Sequence, residues 1–361
     1  MTWAVLVVAL LLQTQAVQPG LNEEAIALLK SGVEAEGHQD LDAAISAFRK
    51  ASELAPDSAL PFARLGQAYM TKQDYAAAIP PLKRALELSP DSLPVHQLLG
   101  FALLAAGYSS EAIPHLELAH EQGALGIAQL QSGQAAEAVT NLQHTLATNP
   151  NDPDVLYYLS QAGSALASQS RDKLLSGFRN TARGHQALGQ TYYETKMFPE
   201  AVQEYLQALA LRPDLPGLRL ELGEIYAATS DWGKAEEQFR AEQKLQPGSA
   251  EAAYRLGDAL LQEGKMKEAA EALQRSDTLR PNMAETLYSL GKADAVSDPS
   301  DAEAALKRVI ELEKESPLAA QAYFALAAIH RKQGKTEEAA HETQEFRRLQ
   351  AMNGQPPATR E

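Results

Sequence analysis

The 361-residue sequence is 45% hydrophobic and 22% charged, apolar content enough for a large folded core, and its formal net charge of −15 argues against a nucleic-acid partner, which needs a basic face. Cysteine is absent, which excludes disulfides, thiolate chemistry, Cys-bound zinc and a lipidated N-terminal Cys. Aromatics reach only 6% while alanine and leucine supply most of the apolar content, a balance suited to helix-on-helix packing.

The chain opens with an apolar run at residues 4–12, followed by Gln13, Thr14, Gln15 and Ala16. The run is short for a bilayer span, and the small residues Thr14 and Ala16 stand where a signal peptidase reads. Residues 1–16 are therefore read as a signal peptide, with cleavage near Ala16 and no membrane span afterwards. An uncleaved anchor is the alternative, because no Lys or Arg precedes the run. The sequence has no Asn-x-Ser/Thr sequon, so a bacterial periplasmic or secreted location is expected.

From residue 22 onward the apolar pattern is helical and recurrent. Residues 25–58 carry Leu28, Gly32, Ala44, Phe48, Ala51 and Pro56; residues 59–92 carry Phe62, Leu65, Gly66, Tyr69, Ala78, Leu82, Ala85 and Pro90. Gly66 and Ala78 let two helices approach, Leu65, Tyr69 and Leu82 fill the space between them, and Pro90 stops the second. Gly100 repeats Gly66 after 34 residues, with Leu99, Leu103, Ala112, Leu116 and Ala119 around it. The phase then breaks: Gly126 follows Gly100 after only 26 residues, which predicts a shortened connection near residues 120–124. The next unit opens with Leu156, Leu159 and Ser160 and places its second helix over residues 171–182, where the usual alanine and proline signals are missing.

Regularity returns with Gly189, Gly223 and Gly257, again 34 apart, in units that carry Leu188, Ala201 and Pro213, then Leu222, Ala235 and Pro247, then Leu256, Ala269 and Pro281; Gly291 keeps the spacing behind Leu287 and Leu290 but opens a looser unit. After Gly291 a polar turn is predicted at residues 296–301 and a helix at 302–312. The last unit uses Tyr323, Leu326, Ala327, Ala339 and Phe346, with a polar outer face suited to an end that no repeat covers. The reading divides the chain into a signal peptide at 1–16, arrays at 22–170 and 171–350, and a disordered tail at 351–361.

A small residue near position 8, alanine near 20 and proline near 32 of each unit resembles the tetratricopeptide repeat (TPR). The resemblance implies an all-α, right-handed α-solenoid of about ten helix-turn-helix units, two of them degenerate. Each unit is too small to bury a core alone, so it must stack on its neighbours and work through its surface.

No constellation asks for catalysis, metal or cofactor. Gly334, Lys335 and Thr336 end like a phosphate loop, but Ile329 stands where the first glycine is required. His341 and Glu342 begin a zinc-protease-like string, but Glu345 replaces its second histidine. His115 and His120, five apart, diverge too far on one helix to share a metal, and pairs such as Asp152 with Asp154 fall where helix N-termini need caps. No Lys or Arg occurs between Arg84 and Arg171, which makes either a solvated acidic face or a patch for a cationic ligand.

The resemblance further implies that first helices line a concave groove and that their exposed positions select a ligand. The early units place Leu29, Ala63, Gln67, Met70, Gln97, Phe101 and Leu104 there; the later ones place the candidates Gln190, Tyr193, Glu194, Glu224, Tyr254, Asp258 and Tyr288. The family's Lys, Asn and Arg clamp for a C-terminal carboxylate is missing, since Gln97 and Phe101, or Tyr254 and Asp258, occupy its positions. Alternating tyrosine and acid favours an extended peptide carrying Lys or Arg, against the plainer reading that these residues only solvate a helix. The expected function is a non-catalytic protein–protein interaction scaffold of the bacterial envelope. The alternative is a structural assembly subunit or an accessory of an envelope or polysaccharide-export complex, and self-association is left open.

Overall fold

The computed structural model describes residues 21–354, so the signal peptide at 1–16 and most of the expected tail lie outside the described residues. Within them the chain forms 19 α-helices and no strand. Helices pair as α1 (Glu23–Gly37) with α2 (Leu41–Leu54), α3 (Ala59–Thr71) with α4 (Tyr75–Leu88), α5 (Leu93–Ala105) with α6 (Ser109–Leu118), and α7 (Gln122–Gln131) with α8 (Ala135–Thr148). After α9 (Pro153–Gly177) come α10 (Ala182–Glu194) with α11 (Phe198–Leu211), α12 (Leu218–Ala228) with α13 (Trp232–Leu245), and α14 (Ala250–Gln262) with α15 (Met266–Leu279). Then follow α16 (Ala284–Asp294) with α17 (Pro299–Glu313) and α18 (Pro317–Lys332) with α19 (Thr336–Met352).

One device makes most of the turns within these pairs. A single residue adopts positive φ: Gln39, Gln73, Gly107 and Gly133 early in the chain, Lys196, Ser230, Gly264 and Gly334 later. The residue after it donates its N–H back to the carbonyl five positions earlier, as from Asp74 to Tyr69 and from Lys265 to Leu260, both at 2.9 Å. This is the Schellman geometry, which satisfies a helix-end carbonyl while reversing the chain.

Close approach of the two helices in a pair follows from the recurring glycine. A Cβ placed on Gly257 falls 2.5 Å from Leu273 Cγ, so the leucine of α15 occupies the room that any larger residue of α14 needs. Leu273 is fully buried there.

Where the phase breaks, α6 and α7 are each only 10 residues long, and the chain turns between them at His120, which adopts φ 56. The shortening predicted near residues 120–124 is therefore real and is taken from both helices. The expected second helix over 171–182 does not exist. Residues 153–177 form one continuous helix of 25 residues, and Ala182 already starts α10 behind a Thr181 cap. Residues 160–176 contain no proline and no positive-φ residue; Gly163 and Asp172 are poorer helix formers, but the Ala, Gln, Leu, Arg and Lys around them propagate the helix. The described residues thus hold nine helix pairs and one unpaired helix. Similarly, α17 starts at Pro299, three residues before the predicted start, because Asp298 caps it by accepting from the Asp301 N–H.

The chain divides into two compact units between Ser170 and Arg171. In the first, Phe48, Leu82, Leu99, Leu103, Leu116 and Leu142 are buried between successive helices. In the second, Tyr205, Leu222, Phe239, Leu260, Leu273 and Leu306 play the same part.

Candidate ligand groove

The first helices α10, α12 and α14 of the second unit bring together a cavity of about 250 Å³ lined by Tyr193, Glu224, Ala227, Ala228, Trp232, Phe239, Arg255, Asp258 and Ala259. Leu256, Gly257 and Leu260 of α14 are buried, while Tyr254 and Asp258, one helical turn apart, share the partly exposed face. Phe239 is buried, and the short side chains of Ala227, Ala228 and Ala259 leave the open volume. Trp232 enters as the first residue of α13, directly after the turn at Ser230 and Asp231. Tyr193 is 36% exposed, and its ring leans on Phe198 with centroids 5.9 Å apart.

Arg255 organises the charge. Its Nη2 lies 2.9 Å from Glu224 Oε1 and its Nε donates at 2.9 Å to Glu251 Oε1, while the guanidinium sits 5.7 Å from the Tyr254 ring centroid. Burial pushes the Glu224 carboxyl above its ordinary range; the Arg255 charge opposes that, and Glu251 and Glu221 add to it. Burial, then the Asp258 charge, likewise raise the Tyr254 hydroxyl. Asp258 makes no hydrogen bond or ion pair with any described residue.

Of the seven residues singled out in the sequence, Tyr193, Glu224 and Asp258 line the cavity, and Tyr254 borders it beneath Arg255. Gln190 is exposed on α10, about one turn before Tyr193, and Glu194 is held at 3.0 Å by Arg171. Tyr288 stands one pair further on, with Lys292 5.7 Å from its ring centroid and its hydroxyl raised by burial. Arg255 and Trp232 escaped the sequence reading. Arg255 had a signal, a carboxylate four residues earlier at Glu251; Trp232 had none, because it belongs to a second helix.

A tetratricopeptide repeat model matches residues 20–92, 220–284 and 293–345, more than half of the chain, and a second TPR model matches 182–230. The chain belongs to the tetratricopeptide repeat family. Its TPR architecture is that of a protein-interaction scaffold. Similar solved structures include MamA from Desulfovibrio magneticus RS-1, 20% identical with a TM-score of 0.45 over 47% of this chain and 96% of that one. YrrB, described as a TPR protein with an unusual peptide-binding site, is 18% identical with a TM-score of 0.46 over 50% of this chain and 93% of that one. Yeast Tom70 is 14% identical with a TM-score of 0.39 over 90% and 92%. No curated protein matches the chain.

Among the described residues no group of three or more His, Asp or Glu is placed to hold a metal ion, and no helix is long and apolar enough to cross a membrane. His115 instead stacks on His96, with centroids 5.0 Å apart and the two Nδ1 atoms 2.8 Å apart.

Proposed function

We propose that this TPR protein is a non-catalytic scaffold of the bacterial envelope that binds an extended peptide or protein segment of basic character along the first helices of its second unit. The observation that carries the reading is Asp258, a carboxylate left without a partner in a cavity walled by Tyr193 and Trp232. The carboxylate is partly exposed and engaged by no cation among the described residues, so it is open to a cation from a ligand. Export is supported by the apolar run at residues 4–12 with Thr14 and Ala16 behind it. A phosphatase fused after residue 30, active only outside the cytoplasm, tests the location; activity surviving deletion of residues 1–16 argues against it.

Fluorescence anisotropy of labelled peptides of equal length, carrying basic, neutral or acidic residues, tests the binding. Basic peptides are expected to bind best, and Asp258→Lys to abolish that preference with the circular dichroism spectrum unchanged. Equal binding of neutral and acidic peptides contradicts the reading.

A further inference from the structure

Resting on that groove reading, we propose that the cavity is an anchor pocket for one cationic side chain, a lysine or arginine of the bound segment, with Asp258 as its counter-ion and Trp232 and Tyr193 beside its alkyl stem. Size limits the occupant first. About 250 Å³ falls below the roughly 300–1,000 Å³ of sites for cofactors or drug-sized ligands, but holds a single long side chain.

Charge then selects it. Arg255 is the cavity's one cation, and it is already engaged by Glu224 and Glu251, each at 2.9 Å, so it offers little to an anion. Glu224 is engaged by the same bond, which leaves Asp258 as the open acceptor. An acidic occupant meets net negative charge, and an aliphatic one strips water from Asp258 without replacing it. A cation with an apolar stem satisfies both demands, its stem against the indole and phenol and its head on the carboxylate. Because Arg255 holds Glu224, the pocket takes one cation and not two.

The test uses the full chain with Trp3→Phe, which leaves Trp232 as its only indole. Trp232 emission is followed at constant ionic strength during titration with the N-acetyl amides of lysine, arginine, norleucine and glutamate. Lysine or arginine amide should give a saturable change with a dissociation constant on the order of 1 mM, and the two arms show which cation fits better. Norleucine amide should bind about tenfold more weakly, and Asp258→Asn should weaken the cation by about tenfold. Arg255→Met, which removes the cavity's own cation and releases Glu224 as a second acceptor, should tighten cation binding; a merely structural Arg255 predicts weakening.

Equal response to lysine and norleucine amides, or an unchanged titration in Asp258→Asn, overturns the pocket. If labelled basic peptides bind while the amides give no response, the pocket falls and the groove stands. If basic peptides fail as well, the groove reading falls with it.

Discussion

Gly257 and Leu273 allow the packing logic of the repeat to be tested by a change of sign. In the native pair a Cβ on residue 257 lies 2.5 Å from Leu273 Cγ and 3.3 Å from the Ala269 carbonyl oxygen. Gly257→Ala gains about 1 kcal/mol of helix propensity but overpacks the contact at a cost of about 1–3 kcal/mol, so it destabilises by about 1 kcal/mol. Leu273→Ala removes a fully buried side chain and costs about 2–5 kcal/mol. In that background the added methyl enters the space Leu273 vacated, with only the 3.3 Å approach to the Ala269 carbonyl left against it, so Gly257→Ala now stabilises by up to about 1 kcal/mol. The coupling is up to about 2 kcal/mol. Urea unfolding by circular dichroism measures the four variants. Hydrogen exchange in α14 and α15 resolves the local effect, because repeat arrays unfold in parts. Additivity within about 0.5 kcal/mol refutes the argument that this glycine exists to admit the leucine.

Glu242 is fully buried, and its Oε1 accepts the Gly217 N–H at 2.8 Å and the Gln246 side chain at 2.5 Å. Glu242→Ala should therefore cost about 2 kcal/mol in urea unfolding and Glu242→Gln, which keeps an acceptor, clearly less; equal losses contradict this role. Glu303 is held down to about 2, chiefly by the Lys307 hydrogen bond, with His330 adding to it and burial opposing. Its contribution, about 1 kcal/mol after solvent screening, is present above its ordinary 4.5 and is lost as pH falls from there toward 2. The stability deficit of Glu303→Gln should thus shrink on acidification, and a pH-independent deficit is the contrary result.

His115 is depressed below 6.5 by burial first, then by His96 and Lys83, with Glu111 opposing. A His held neutral in the fold stabilises above its unfolded value and loses that contribution below it, so stability should fall as pH drops below about 6.5. His115→Gln should flatten this slope in pH-dependent unfolding curves; an unchanged slope excludes the residue as its source.

The helix pairs were legible because Gly66, Gly100, Gly223 and Gly257 face buried leucines or a phenylalanine, and the same steric need recurs at the same spacing. Turns at Gly107, Gly133, Gly264 and Gly334 announce themselves, since glycine takes positive φ at no cost. Gln39, Gln73, Lys196 and Ser230 do the same work without announcing it, at a penalty of about 1 kcal/mol each that the neighbouring packing outweighs. Repeat phase does not reveal the long α9, because its interior holds no proline or positive-φ residue to end the helix and its one internal glycine, Gly163, is carried by the good helix formers around it. In the groove, the register of the first helices places Tyr193, Glu224 and Asp258 on the cavity side. Arg255, which decides how much of the acid is free, was overlooked because pairing with Glu224 depends on helix-to-helix distance and not on spacing along one helix.

The most direct test of the groove is backbone-amide and indole shift mapping of the deuterated full chain with a lysine-containing peptide. The account predicts perturbations centred on Tyr193, Glu224, Trp232 and Asp258, along α10, α12 and α14. Perturbations confined to the second helices α11 and α15, or to the first unit, contradict it.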